Sequence, residues 1–135
     1  MFARMAFVMC FVFLFLAPIA KSEEASHATE NGSAVSVVAN EAASTAERNL
    51  EAGRYYMTHG NYPGAINRFK AVVERFPSSS VVDEALFRLA QAYLAIGISK
   101  EAQAVAATLN REFPESHWRF DALDLLKKSG LEPAQ

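Results

Sequence analysis

The chain has 135 residues, room for one domain of ordinary size, with 13 Lys and Arg against 15 Asp and Glu and a formal net charge of −2. That balance excludes the strongly basic surface that nucleic-acid binding requires. The single cysteine, Cys10, lies in an apolar N-terminal run, which excludes a disulfide framework and a thiolate metal site in the rest of the chain.

Arg4 supplies a positive charge at the start, and Met5–Ala20 is an unbroken apolar run of 16 residues. The run is shorter than the roughly 20 residues a helix needs to span a bilayer. Residues 1–22 are therefore expected to be a secretory signal peptide, cleaved after the small-x-small step Ala20-Lys21-Ser22, or a retained N-terminal anchor; both readings export the remainder. Cys10 follows Phe7-Val8-Met9 rather than a small residue after a leucine, which argues against lipid attachment there. From Glu23 onward, 11 Lys and Arg face 15 acidic residues, a net charge of −4.

Residues 23–44, EEASHATENGSAVSVVANEAAS, hold no aromatic residue and three valines. So little apolar surface cannot offset the entropy of ordering the segment, and the expectation is a flexible linker with an end-to-end distance of roughly 25 Å.

Helical periodicity begins at Thr45. Ala46, Leu50, Gly53 and Met57 recur at three- and four-residue steps, as a helix with one packed side requires. Gly60 can close that helix in the left-handed conformation, and Asn61 can accept a free amide of the next one. Pro63 falls in the first turn, where its missing N–H costs nothing. Ala65, Phe69, Val72, Val73 and Phe76 form the second stripe, stopped by Pro77. Residues 45–79 thus read as an antiparallel helical hairpin.

The hairpin repeats at residues 80–115. A shift of 37 residues maps Tyr56 onto Tyr93, Gly60 onto Gly97, Ala65 onto Ala102 and Pro77 onto Pro114, with Phe69 falling on the smaller Ala106. Ser80 and Asp83 have capping-box spacing, so a helix is expected to start just after Ser80. A capping helix over residues 116–131 begins at Ser116 and ends with Lys127 and Lys128 at the negative end of its dipole. Gly130 and Leu131 are placed for a Schellman cap folded back on Leu126, and residues 132–135 form a tail.

The motifs of catalysis do not occur. There is no Gly-rich phosphate loop, nucleophile elbow or H-E-x-x-H, and His59 and His117 lack the further ligands a metal site needs. The expectation is a protein that is not an enzyme and carries no cofactor and no metal.

The landmarks Gly53, Tyr56, Gly60, Tyr62, Ala65, Phe69 and Pro77, and then Leu89, Ala90, Tyr93, Gly97, Ala102 and Pro114, resemble the tetratricopeptide repeat. That resemblance implies an all-α fold of two tetratricopeptide-like hairpins and a C-terminal capping helix. The stretches GRYYMTHGNYPGAINRFKAVVERFP, EALFRLAQAYLAIGISKEAQAVAATL and LLKKSGLEP are similar to the C-terminal repeats of the BamD-like lipoproteins of the outer-membrane β-barrel assembly machinery. The similarity runs from about Glu47 to Pro133. Members of that family carry a lipid-modified cysteine and more repeats, so this chain looks like the docking half of the family with its own export signal.

The family resemblance implies an exported adaptor, periplasmic and associated with the outer membrane, whose partners are the POTRA domains of a barrel-assembly protein. Membrane association would come through the partner or an uncleaved N-terminal segment. On the outer face of the second helix, Arg68 and Arg75 read from the residues alone as solvated charge, and the resemblance makes Asn67, Arg68 and Arg75 candidate docking residues, Asn67-Arg68 because the matching step in the family belongs to the POTRA-facing region. By analogy with the fold, Glu47, Leu50, Arg54, Met57, Glu84, Phe87, Gln91 and Leu94 would line a peptide groove, while Leu50, Phe87 and Leu94 read equally well as core. Phe120 and Leu123 form a second apolar face on the capping helix, to be covered by a partner, by a second copy of the chain as a homo-oligomer, or by the tail around Leu131. The alternative function is a general periplasmic or membrane-anchored repeat scaffold, structural or self-associating, unrelated to barrel assembly.

Overall fold

The computed structural model describes the backbone of residues 24–134 and the side chains of residues 34–134. The expected signal or anchor over residues 1–22 lies outside the described residues. Five helices follow one another: α1 Glu24–Thr58, α2 Tyr62–Arg75, α3 Val82–Ala95, α4 Ser99–Glu112 and α5 His117–Lys128. Among the described residues there is no strand, and no helix is long and apolar enough to cross a membrane. The contacts separate Met1–Ala39 from a compact unit, Asn40–Gln135. Within that unit α3 packs between α2 and α4, and α5 closes against α3 and α4. The fold is all-α and built of helical hairpins.

The N-terminal part of α1 corrects the sequence reading: residues 24–44 are helical, not an unstructured tether. Burial was the wrong criterion for this segment. It is rich in alanine and free of proline, and once the turns over residues 45–58 are nucleated each further residue adds a backbone hydrogen bond at the cost of fixing one residue. Ser44 and Thr45 turn their hydroxyls inward onto the carbonyl of Glu41, at 3.1 and 2.8 Å. Val35, Val37 and Val38 remain exposed.

Three helices end the same way. Gly60, Gly97 and Gly130 have φ of 71°, 79° and 70°, a region where a Cβ is penalised. After each glycine the next amide reaches back to the first carbonyl of the motif: Asn61 to Tyr56 at 2.9 Å, Ile98 to Tyr93 at 2.9 Å and Leu131 to Leu126 at 2.9 Å. The glycine amides bond Met57, Leu94 and Lys127, completing three Schellman caps. Asn61 serves twice, since its side chain also accepts from the Gly64 amide at 3.0 Å as the N-cap of α2. Pro63 sits in the first turn of α2, and α2 and α4 stop one residue before Phe76 and Phe113, each followed by a proline.

The start of α3 is a second correction. Its N-cap is Val81, which makes no side-chain cap bond, so the Ser80–Asp83 capping box does not form. Asp83 spends its carboxylate differently. One oxygen accepts from the Glu84 amide at 2.8 Å and the other from the Ser116 hydroxyl at 2.6 Å. Ser116 in turn caps α5 through the Trp118 amide at 3.2 Å, so Asp83 ties the start of α3 to the start of α5.

The core is one cluster running through the unit. Ala65 and Ala102 are both fully buried, as are Phe69, Val72, Ala106, Leu109 and Leu126. Phe69 lies over Gly53: a Cβ built there would stand 2.3 Å from its ring. Tyr56 and Leu131 pack on the cluster's edge.

This contact fixes the sign of two substitutions. Gly to Ala inside a helix ordinarily gains about 1 kcal/mol, yet Gly53→Ala should destabilise by about 1–3 kcal/mol through overpacking, and Phe69→Leu in the same chain should recover part of it. Phe69→Ala alone should cost about 3–5 kcal/mol. Thermal melts of the three variants check both; an unchanged midpoint for Phe69→Ala would contradict the hairpin packing.

Candidate functional site

The first helices of the hairpins and α5 share one polar seam. Arg54 of α1 donates to Glu84 of α3 through Nε at 3.0 Å and Nη2 at 2.5 Å, and Nη1 reaches Glu51 in the same helix. Arg88, one turn beyond Glu84, donates to the same carboxylate oxygen at 3.3 Å and to Gln91 at 3.2 Å. Glu84 is 8% exposed, so its charge is sustained by two guanidinium groups rather than by water. The hydrogen bonds and charge of Glu84 in return raise the Arg54 pKa against a partial desolvation.

An aromatic layer continues the seam. Phe87 stacks on Trp118 of α5 with ring centroids 5.1 Å apart, and the Arg88 guanidinium lies 5.6 Å from the first ring and 5.4 Å from the second. Such cation–π contacts are worth about 0.5–1 kcal/mol each at exposed sites. His117, exposed in the first turn of α5, tilts against Trp118 at 4.4 Å.

The expected groove residues therefore divide. Leu50 and Phe87 are buried at 3% and 8% exposure and belong to the core between helices. Met57, Gln91 and Leu94 are half-buried, Arg54 is half-buried and paired, and Glu47 is exposed. Arg88 and Glu51 complete the seam and were missed. The signal was available in the four-residue step from Glu84 to Arg88, a favourable ion-pair spacing on a helix.

A second surface lies on the α1–α2 flank. Tyr56, Asn61, Gly64, Asn67 and Arg68 line an open depression of about 270 Å³. Asn67 and Arg68 are exposed, and Arg68 donates from Nη1 to the Asn49 carboxamide of α1 at 3.3 Å. That bond holds the cation at the rim instead of leaving it on a free stem. Arg75, also exposed, lies apart from the depression's lining, with its guanidinium 6.0 Å from the Phe76 ring.

On α5, Ala122 and Leu126 are buried and Trp118 and Leu125 pack on the core, whereas Phe120 is 57% exposed and Leu123 half-buried. Arg119 places its guanidinium 4.3 Å over the Phe120 ring. The tail runs elsewhere. Gln103 of α4 donates to the Glu132 carbonyl at 2.6 Å, and the Ala134 amide donates back to the Gln103 carbonyl at 3.4 Å. Among the described residues no group of three or more His, Cys, Asp or Glu is placed to hold a metal ion.

Comparison with known proteins adds a family. The sequence model of the YfiO family, described as outer membrane lipoprotein, matches residues 33–109, more than half of the chain. The outer membrane protein assembly factor BamD of Caulobacter vibrioides is 46% identical over 89 residues, covering 66% of this chain and 29% of that protein. The protein of the same name from Rickettsia prowazekii is 33% identical over 82 residues, covering 61% and 33% respectively. The match thus spans about a third of the length of either relative. No solved structure matches the chain.

The seam makes a prediction of its own. Glu84→Gln removes the carboxylate between two guanidinium groups and should cost about 1–2 kcal/mol, below the range for a fully buried charged bond because Arg54 is partly solvated. In a double-mutant cycle with Arg54→Gln the losses should be non-additive by about 0.5 kcal/mol or more. Denaturant unfolding of the four chains measures this; strict additivity would mean that the two side chains do not interact.

Proposed function

Because the chain belongs to the YfiO family of outer membrane lipoproteins, we propose that it is a helical-repeat adaptor of the outer-membrane β-barrel assembly machinery. It acts by docking and not by chemistry, and its partners are the POTRA domains of the barrel-assembly protein. Its place is the periplasmic side of the outer membrane. The whole relatives' activity is carried over as part of this proposal, given the partial length of the match.

The observation that carries the reading is Arg68. An exposed guanidinium normally samples many rotamers and contributes little. Here Asn49 restrains it at the edge of a depression whose other walls are a tyrosine, two asparagines and a glycine. A cation held beside amide donors and acceptors suits an acidic side chain on a folded partner, where two ordered groups meet without a large loss of rotamer entropy. Asn67 lies on the same wall and is assigned to the same contact; Arg75 adds a more distant positive charge that steers encounter.

The half-buried residues of the seam, Met57, Gln91 and Leu94 with Glu47 at its open end, give a secondary contact for an extended or helical peptide. The core positions Leu50 and Phe87 hold the helices that present them.

Co-purification from envelope membranes tests the proposal. The barrel-assembly protein should be recovered with the wild-type chain and lost, by about tenfold or more, with Arg68→Glu, which places like charges together at the contact. Circular dichroism should be unchanged. Recovery of this chain alone would support a general repeat scaffold, and undiminished capture by Arg68→Glu would remove Arg68 from the contact.

A further inference from the structure

Arg54 and Arg68 are held alike on one side and differ on the other. Arg54 is gripped at Nη1 by Glu51 of its own helix and lays its Nε and Nη2, at 3.0 and 2.5 Å, on Glu84 of α3. Arg68 is gripped at Nη1 by the Asn49 carboxamide of α1 at 3.3 Å, and no other described residue bonds its guanidinium. Its Nε and Nη2 are unspent, on a side chain that lines the depression with Tyr56, Asn61, Gly64 and Asn67. No described residue supplies to the second arginine what Glu84 supplies to the first.

Asn49 is itself fixed. Its Nδ2 donates to the Thr45 carbonyl one turn earlier at 2.9 Å, so its Oδ1 is the atom that meets the arginine. With the amide turned over, an N–H would face an N–H and a carbonyl oxygen would face a carbonyl oxygen, so the two bonds hold the carboxamide one way round. Asparagine is a poor residue for the interior of a helix, yet half-buried Asn49 lies inside α1. Neutrality is what distinguishes it from Glu51. A carboxylate at this position would hold Arg68 more firmly but pair with its charge, whereas a carboxamide holds it and leaves the full positive charge to an outside ligand.

We infer that Asn49 is the positioning residue of the Arg68 contact: it fixes Nη1, leaves the charge whole, and reserves the Nε–Nη2 edge for a carboxylate of the partner, side-on as Glu84 meets Arg54. The inference rests on the docking proposed for Arg68 and adds to it the residue that prepares the arginine and the edge that binds. A lysine at position 68 would keep the charge but has no second nitrogen to present.

The free chain gives a readout that does not depend on docking. NMR relaxation of the Arg68 Nε–H group in the purified chain should show restricted motion, lost in Asn49→Ala and kept in Asn49→Asp. The purified POTRA domains of the barrel-assembly protein are the binding probe. Asn49→Ala should weaken their affinity by roughly three- to tenfold, the cost of ordering one long side chain on binding, with circular dichroism unchanged. Asn49→Asp should weaken it by roughly tenfold or more although the arginine stays ordered, because its charge is already paired. In an Arg68→Lys chain, Asn49→Ala should cost nothing further, a result that a merely structural role of Asn49 would not give. An Arg68 Nε–H already mobile in the wild-type chain, or wild-type affinity in either Asn49 variant, would overturn the inference and leave the docking of Arg68 standing. Failure of the wild-type chain to bind the POTRA domains would overturn that docking, and this inference with it.

Discussion

The spacing between α1 and α2 is set by a side chain that is not there. Gly53 lets the Phe69 ring lie directly on the α1 backbone, and the hairpin can close around a large aromatic because its facing position has no Cβ. The second hairpin reaches closure by another division of volume, with Ala90 and Ala106 at the corresponding positions, both about 1% exposed. The fully buried alanines Ala65 and Ala102 keep the second helices close in both copies. Large against none and small against small are equivalent solutions to one packing requirement, and the second is what leaves the sequence repeat imperfect while the backbone repeat is kept.

With the packing in place, the polar groups sort by surface. Glu84 and its two arginines occupy the seam between α1, α3 and the aromatic layer, where they bond one another inside the chain. Asn67 and Arg68 stand on the flank of α2 with their outward surface free of the core. Phe120 and Leu123 present apolar area on α5. Helical repeats stack neighbouring units into extended surfaces. The three surfaces therefore differ in what they can offer: internal cohesion, a restrained charge, and exposed apolar area.

Much of the hairpin architecture was legible because it rests on residues whose backbone chemistry is local. Gly60, Gly97 and Gly130, Asn61, and the prolines after Phe76 and Phe113 mark helix ends by conformation alone, and all of them act as their types require. Two local readings failed for opposite reasons. Residues 24–44 were judged by burial, whereas an alanine-rich segment joined to a nucleated helix propagates without it. Ser80 and Asp83 were judged by spacing, whereas Asp83 is drawn away by Ser116 from 33 residues further along. The site was less legible than the fold for the same reason. Arg54 to Glu84 and Arg68 to Asn49 span 30 and 19 residues, and no periodicity within one helix announces them.

The three Schellman turns also bear on how such a chain can change over evolutionary time. Each is closed by bonds between a glycine, the residue after it and the last turn of its own helix, so the bend is specified inside some six residues and asks nothing of the neighbouring hairpin. A hairpin that carries its own bend can be duplicated, deleted or recombined as a cassette, with only the contact layer between neighbours left to be refitted. A glycine lost from one turn would disturb that turn alone, and the register of the others would stand.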